Sequence, residues 1–346
     1  MSAVTLTFKP KSVSKKLLSS LNPRTREVIT NRYGLEKEIK MTLESIGKGY
    51  GITRERVRQI ENFAISTMRK SDEYLAHATV FDELSDIVKK LGSIVPEDVL
   101  LGHISQDKVM HNHINMFMAL SSKFKKHKED DNFYSRVSVD DLIHNHVHDV
   151  LNKVTSSIGK EELISEEEII SRFLAHATDL ATEYRSDRDI IMRYLRLSKA
   201  IDKNQLNEWG HSSSSQVKVR GIKDFAYLIL RKAGEPMHFR DVAHTINTTF
   251  NKKAHVATCH NELIKDERFV LVGRGMYGLA EWGRAGGVVR DVINKVIDEA
   301  GEPLGKEEIV KRVIELRDVK PNTILVNLQN TKFFKKVSGG KYEVVR

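Results

Sequence analysis

Apolar residues recur at helical spacing through most of this chain, and short alternating stretches interrupt them. The clearest case lies at residues 53–68, where Val57, Ile60, Ala64 and Met68 fall on one narrow stripe that a helix must bury. Glu55, Arg58, Gln59 and Asn62 project from the opposite side, with Arg54 at its edge. A short helix from about Thr42 to Gly49 precedes it, followed by a tight turn at Tyr50-Gly51-Ile52. Thr53 stands where its side-chain oxygen can cap the second helix. The pattern predicts a helix-turn-helix whose outward side chains suit base edges, since Arg pairs with guanine, Gln with adenine, and Glu accepts from cytosine. An ordinary amphipathic surface helix would also carry charge outside, but it would need neither the glycine turn nor the short helix before it.

Further along, the pattern predicts repeated units of three helices and a hairpin, the winged-helix arrangement. Ala233-Gly234-Glu235-Pro236 returns as Ala300-Gly301-Glu302-Pro303, 67 residues on, and Phe269, Gly275 and Tyr277 return at an offset of 65 as Phe334, Gly340 and Tyr342. A repeat of this period indicates duplicated modules, with a short length difference in the second or third helix. In the first copy Phe225, Leu228, Ile229 and Leu230 form the apolar side of one helix. Asp241–Asn247 and about 253–264 make two more, and Val270–Val272 and Tyr277–Leu279 are strands around the turn Gly273-Arg274-Gly275. The central units are fainter. One has helices at 81–91, 96–103 and 111–124 with a hairpin over 125–139. The next begins at Val139, with helices at 166–177 and 185–197 and a hairpin at 200–210 anchored by Trp209. A single helical domain over 72–210 is the alternative. Residues 210–215 read as a linker, being small and polar.

Two segments carry family resemblances. LLSSLNPRTREVITNRYGLE, TLESIG and ITRERVRQIE, between Leu17 and Arg69, closely resemble region 4 of sigma-70-type bacterial sigma factors. The resemblance implies that this helix reads a promoter −35 element and that the domain docks on the β flap of RNA polymerase. It assigns base reading to Arg54, Glu55, Arg58 and Gln59, and phosphate contact or capping to Thr53 and Arg56. The chain departs from the family in two respects. Only about 16 residues precede the segment, with no aromatic-rich melting helix downstream, and the helix continues NFAISTM before Arg69-Lys70 instead of with several basic residues. The expectation is a regulator that borrows region 4, not a complete sigma factor. FAYLILRKAGEPMHFRDVAHTI and NELIKDERFVLVGRGMYGLAEW, within 218–284, resemble the HARE-type helix-turn-helix also found in the polymerase delta subunit. Lys252, Lys253, His255 and Arg274 are its candidate phosphate contacts.

Charge sharpens the division. The 346 residues carry net +9, but residues 1–71 alone hold +9, residues 72–217 hold −8, 218–284 hold +5 and 285–346 hold +3. Phosphate neutralisation supplies most non-specific DNA affinity, so the first and third segments are the electrostatic candidates and the middle suits a protein partner. The single cysteine, Cys259, excludes a disulfide framework and a Cys-rich zinc site, and suits a reducing cytoplasm. No apolar run is long enough to span a membrane, and the first 16 residues lack a signal-peptide core and read as a basic tail. The fourteen histidines include His111-Asn112-His113 and the run from His144 to His148, which hold the letters of a nuclease motif. Both stretches are predicted as continuous helix with solvated side chains, so no metal and no cofactor is expected. The triplet Glu166–Glu168 and the run Lys125–Lys128 read as solvated faces.

Together these readings predict a mainly α chain: a tail at 1–16, a helix-turn-helix at 17–71, winged-helix-like units at 72–138 and 139–211, a linker at 212–217, a HARE-type winged helix at 218–284 and its repeat at 285–346. They predict a cytoplasmic bacterial transcription regulator that binds double-stranded DNA and RNA polymerase core without catalysis. The alternatives are a polymerase accessory subunit acting through protein contacts and a metal-dependent nuclease built on the central histidines.

Overall fold

Polar caps fix where the first helices begin. Asn22, Thr42, Thr53 and Ser71 each accept a backbone N–H three residues on, which satisfies a donor that the first helical turn leaves orphaned. The helices are α1 (Pro10–Ser19), α2 (Pro23–Tyr33), α3 (Leu43–Tyr50), α4 (Arg54–Arg69) and α5 (Asp72–Ala76). The computed structural model describes residues 4–283, 288–317 and 319–345, and these are mainly helical with small antiparallel sheets. The chain divides into two compact units, Met1–Ser213 and Ser214–Arg346.

In the first unit the expected basic tail gives way to a helix from Pro10 onward. Val13, Leu17 and Leu18 of α1 are buried while Lys11, Lys15 and Lys16 stay outside. Lysines at that spacing leave an uninterrupted apolar stripe between them, which the charge-based reading overlooked. Then follow α6 (Ala78–Lys90), β1 (Ile94–Pro96), α7 (Glu97–Ile104), α8 (Lys108–Leu120), β2 (Lys125–His127) and β3 (Arg136–Ser138), with strand order β1-β3-β2. One core joins Leu17, Ala64, Met68, Phe81 and Phe117, so packing runs without a break across residues 71 and 72. A second core forms around Val147, Leu151, Phe173, Tyr194 and Trp209. It is built by α9 (Asp141–Ser157), α10 (Glu166–His176), α11 (Thr182–Ser186), α12 (Arg188–Leu195) and the hairpin β4 (Ile201–Lys203) with β5 (Trp209–His211). Trp209 is 3% exposed, and its backbone exchanges both hydrogen bonds with Ile164, at 2.8 and 2.9 Å.

In the second unit the sequence echo becomes a topological one. The first copy is α13 (Ile222–Ala233), β6 (Met237–His238), α14 (Phe239–Phe250), α15 (Val256–Lys265), β7 (Phe269–Leu271) and β8 (Met276–Leu279), with order β6-β8-β7. The second is α16 (Val289–Ala300), β9 (Leu304–Gly305), α17 (Lys306–Leu316), α18 (Pro321–Leu328), β10 (Phe334–Lys336) and β11 (Lys341–Val344), again with the third strand central. Phe269 pairs across from Leu279 as Phe334 does from Val344. Gly234 and Gly301 both end their helices in the left-handed conformation, at φ 70° and 66°, where a glycine carries no Cβ penalty. The two-residue change of offset falls between the second and third helices. Before these copies, Ser214, Gln216 and Val217 of the expected linker are buried.

Candidate nucleic-acid interface

The helix-turn-helix is built from close contacts. A Cβ at Gly47 would lie 2.6 Å from the Ile52 carbonyl oxygen, so only glycine lets α3 approach the following turn this closely. Gly51 makes that turn at φ 66°. Val28, Ile46 and Val57 form a small core of their own, with Leu43, Tyr50, Ile52 and Ile60 around it. Arg32 Nε meets Glu61 Oε2 at 3.2 Å, tying α2 to α4.

The far end of α4 is held differently, which explains its departure from a basic continuation. Ala64 and Met68 are fully buried in the large core. Arg69 donates from Nε to the Leu120 carbonyl at 2.6 Å and from Nη2 to that of Ala119 at 3.0 Å, satisfying carbonyls at the end of α8. The trailing arginine is thereby taken up by the protein itself.

Between these anchors α4 exposes Arg54, Glu55, Arg56, Arg58, Gln59 and Asn62. Arg58 grips the Glu55 carboxylate through Nε, at 3.1 and 2.9 Å, and through Nη2, at 2.7 Å. That pairing holds the Glu55 carboxyl below its usual range and raises the Arg58 guanidinium. Arg56 Nη1 donates to Gln59 Oε1 at 3.0 Å. In the free chain, then, the four side chains satisfy each other in pairs, and a base edge would replace one hydrogen-bond partner by another. Thr53 is the cap, accepting from Arg56 N at 3.2 Å. Phe63, which the sequence reading passed over, is 62% exposed on the same helix. With Ile60, Arg24, Arg56 and Gln59 it lines an open cleft of about 540 Å³. An aromatic one turn after Gln59 was the available signal.

The second set of candidates does not converge. Lys252, Lys253 and His255 sit in the loop between α14 and α15, exposed. That loop is fixed by Asn247, which accepts from Ala254 N at 2.6 Å and donates to the Ala254 carbonyl at 3.2 Å. Arg274 lies on the β7–β8 turn, where Phe239 N donates to the Gly275 carbonyl at 2.9 Å. A Cβ at Gly275 would fall 2.6 Å from His238 Nε2. Arg274 thus stands at the start of α14 and the lysines at its end, twelve residues apart along the helix, or about 18 Å. The outward face of α15 itself is mixed, with Val256 42% and Ile264 62% exposed beside exposed Ala257, Thr258, Asn261 and Lys265.

The central histidines lie on helices, as expected, but they are packed and not solvated. His113 and His144 are buried at 3% and 8% exposure. The hairpin of β2 and β3 folds over α9, so that His127 stacks on His144 at 4.0 Å and Phe133 on His148 at 3.9 Å, with His144 and His148 4.1 Å apart. Burial, and then the neighbouring His144, push His127 down to about 4 and His148 to about 3. Among the described residues no group of three His, Cys, Asp or Glu side chains is placed to hold a metal ion. None of their helices is long and apolar enough to cross a membrane.

Comparison with known families falls on the same two segments. The family model described as Sigma-70, region 4 matches residues 17–70. The HARE-HTH model, a helix-turn-helix domain described from ASXL and restriction endonuclease proteins among others, matches residues 220–282. Both are helix-turn-helix types, and together they place DNA-binding, transcription-related modules in this chain. Among curated relatives, the RNA polymerase principal sigma factor HrdD of Streptomyces griseus is 42% identical over 66 residues, 19% of each chain. RNA polymerase sigma factor SigA of a Nostoc species is 49% identical over 55 residues, covering 16% of this chain and 14% of its own. RNA polymerase sigma factor RpoS of Coxiella burnetii is 47% identical over 55 residues, 16% of each chain. The chain thus spans less than a fifth of these relatives, over the region 4 segment.

Proposed function

We propose that this chain is a sequence-specific DNA-binding regulator of bacterial transcription initiation, acting by binding and not by catalysis. In this reading α4 enters the major groove of a promoter element. Arg58 and Gln59 read bases, with Arg54 and Glu55 beside them, and Arg56 contacts phosphate while Thr53 caps the helix. The observation that carries the reading is the arrangement of α4 itself. Val57, Ala64 and Met68 are fully buried while every assigned reader is exposed on one face. A rigidly held helix loses little freedom on docking, which favours discrimination between bases. Each good bidentate contact contributes about 1–3 kcal/mol of discrimination. Arg58→Ala with Gln59→Ala is expected to lower affinity for a −35-type duplex at least about tenfold. Unchanged affinity in the double variant would end the reading.

For the second module the exposed face of α15 favours a different role. Val256, Ala257 and Ile264, exposed beside Thr258, Asn261 and Lys265, form an apolar patch that phosphate and base edges would leave unused and a protein surface can cover. We infer that this module contributes mainly protein contacts. RNA polymerase core is the partner suggested by both resemblances, with the β flap as the docking point for residues 17–70. The net −8 of residues 72–217 is consistent with an accessory role of this kind. Co-purification with core polymerase that survives nuclease treatment, and is lost in Ile264→Asp, supports it. Retention unchanged in Ile264→Asp contradicts it.

A further inference from the structure

A cavity of about 370 Å³ lies where α1, α2 and α8 meet, on the far side of α2 from any role assigned above. Three cations line it. Lys11 and Lys15 lie one turn apart on α1, exposed and with no acidic partner among the described residues. Like charges at that spacing repel, so a bound anion would relieve the pair. Arg26, the third, is immobilised by carbonyls: Nε donates to Leu18 at 3.0 Å and Nη2 to Leu21 at 3.0 Å and Ser19 at 3.4 Å. Its Nη1 has no acceptor among the described residues.

The cavity also holds hydroxyl and imidazole groups. Ser14 is 1% exposed, and its Oγ lies 2.7 Å from Nδ1 of His113. His113 is 3% exposed, and its Nε2 has no hydrogen-bond partner among the described residues. Thr30 completes the polar wall, and Glu36 is the one acidic side chain on the lining. Three cations against one carboxylate leave an excess of positive charge. The hydroxyls can donate, and one guanidinium is already oriented, which is the donor set that a tetrahedral oxyanion requires. The volume falls within the range of small-molecule sites and exceeds what a single ion fills.

We propose that this cavity binds a phosphate group, carried by a small phosphorylated molecule or presented by the backbone of bound DNA. Lys11 and Lys15 supply the charge, Arg26 a fixed donor pair at Nη1, and Ser14 and Thr30 hydroxyl contacts. His113, at the back, senses occupancy. Burial and then Lys11 hold its imidazolium down, and a phosphate beside Lys11 offsets that repulsion.

The test follows the His113 ring resonances of the full-length chain by NMR, at constant ionic strength. Inorganic phosphate is expected to shift them saturably and to raise the His113 pKa. The apparent affinity should fall at least tenfold in Lys11→Gln/Lys15→Gln, and stay within twofold in Lys16→Gln, which removes a neighbouring lysine outside the cavity. A shift that does not saturate, or one that survives Lys11→Gln/Lys15→Gln, overturns the proposal. A −35-type duplex then separates the sources. If it reproduces the His113 shift and competes with phosphate, the group belongs to DNA. If it binds with His113 still free to respond to phosphate, the ligand is a small phosphorylated molecule. The phosphate arm requires no DNA binding, so it stands or falls separately from the role of α4.

Discussion

The side chains of α4 divide by what they can distinguish. Arg58 and Gln59 are suited to base edges, whereas an arginine on phosphate positions the protein without reading sequence. Arg56→Ala is therefore expected to weaken binding to a target and a scrambled duplex by the same factor, and to reduce the salt slope by about one. Loss confined to the target would make Arg56 a reader instead. Gly47 sets the turn geometry through its 2.6 Å clearance to Ile52. Gly47→Ala must push α3 and the turn apart, at a cost of about 1–3 kcal/mol; chemical denaturation measures it, and an unchanged midpoint would show that the contact relaxes freely. The turn at Gly51, the cap at Thr53 and the exposed charged face were legible in the sequence because they stand at fixed offsets, whereas the close approach at Gly47 was not. The mutual pairing of Arg58 with Glu55 and of Arg56 with Gln59 was not, since which of several neighbouring charges pair depends on rotamers.

At the scale of elements, helical period marked α4, α8, α10 and α13, where the apolar stripe is clear. It did not at α1, where four lysines between Lys9 and Lys16 masked the stripe formed by Val13 and Leu17. Nor did it foretell the burial of the α9 histidines, because the hairpin just before α9 folds back over it to supply their cover. No local pattern announces a partner that arrives from another element. The second unit offers a sharper case. Arg268 joins the buried Asp224 at 3.0 Å to Asp266 at 2.8 Å, tying the start of α13 to the loop before β7. Its side chain pulls Asp266 down to about 2. Removing one partner of a buried pair leaves an uncompensated charge, so Arg268→Ala is expected to cost roughly 3–5 kcal/mol. A calorimetric loss restricted to the second unit's transition is the expected result, and a loss under about 1 kcal/mol would contradict it.

Across the whole molecule, pH acts on the stacked histidines. His127 and His148 have folded values near 4 and 3, below the unfolded value of about 6.5. Between those limits the unfolded chain binds protons that the folded chain does not, so stability falls as pH drops through that window. The Tm is expected to fall by at least about 3 °C from about pH 7 to about pH 5, and less so in His148→Leu. An equal fall in both forms would remove the histidines as its cause. The charge map also acts at this scale, concentrating the overall +9 at one end of the chain and leaving −8 in the middle. That division was visible in the sequence, while the continuity of packing across residues 71 and 72 was not, because it depends on α4 and α8 meeting in space.

The most direct measurement of the central claim is fluorescence anisotropy of the full-length chain on a −35-type duplex and a scrambled one, across a salt series. The account predicts tighter binding to the −35-type duplex, persisting as salt rises and abolished by Arg58→Ala. Equal and steeply salt-dependent binding to both duplexes would contradict it, reducing α4 to a source of general electrostatic attraction.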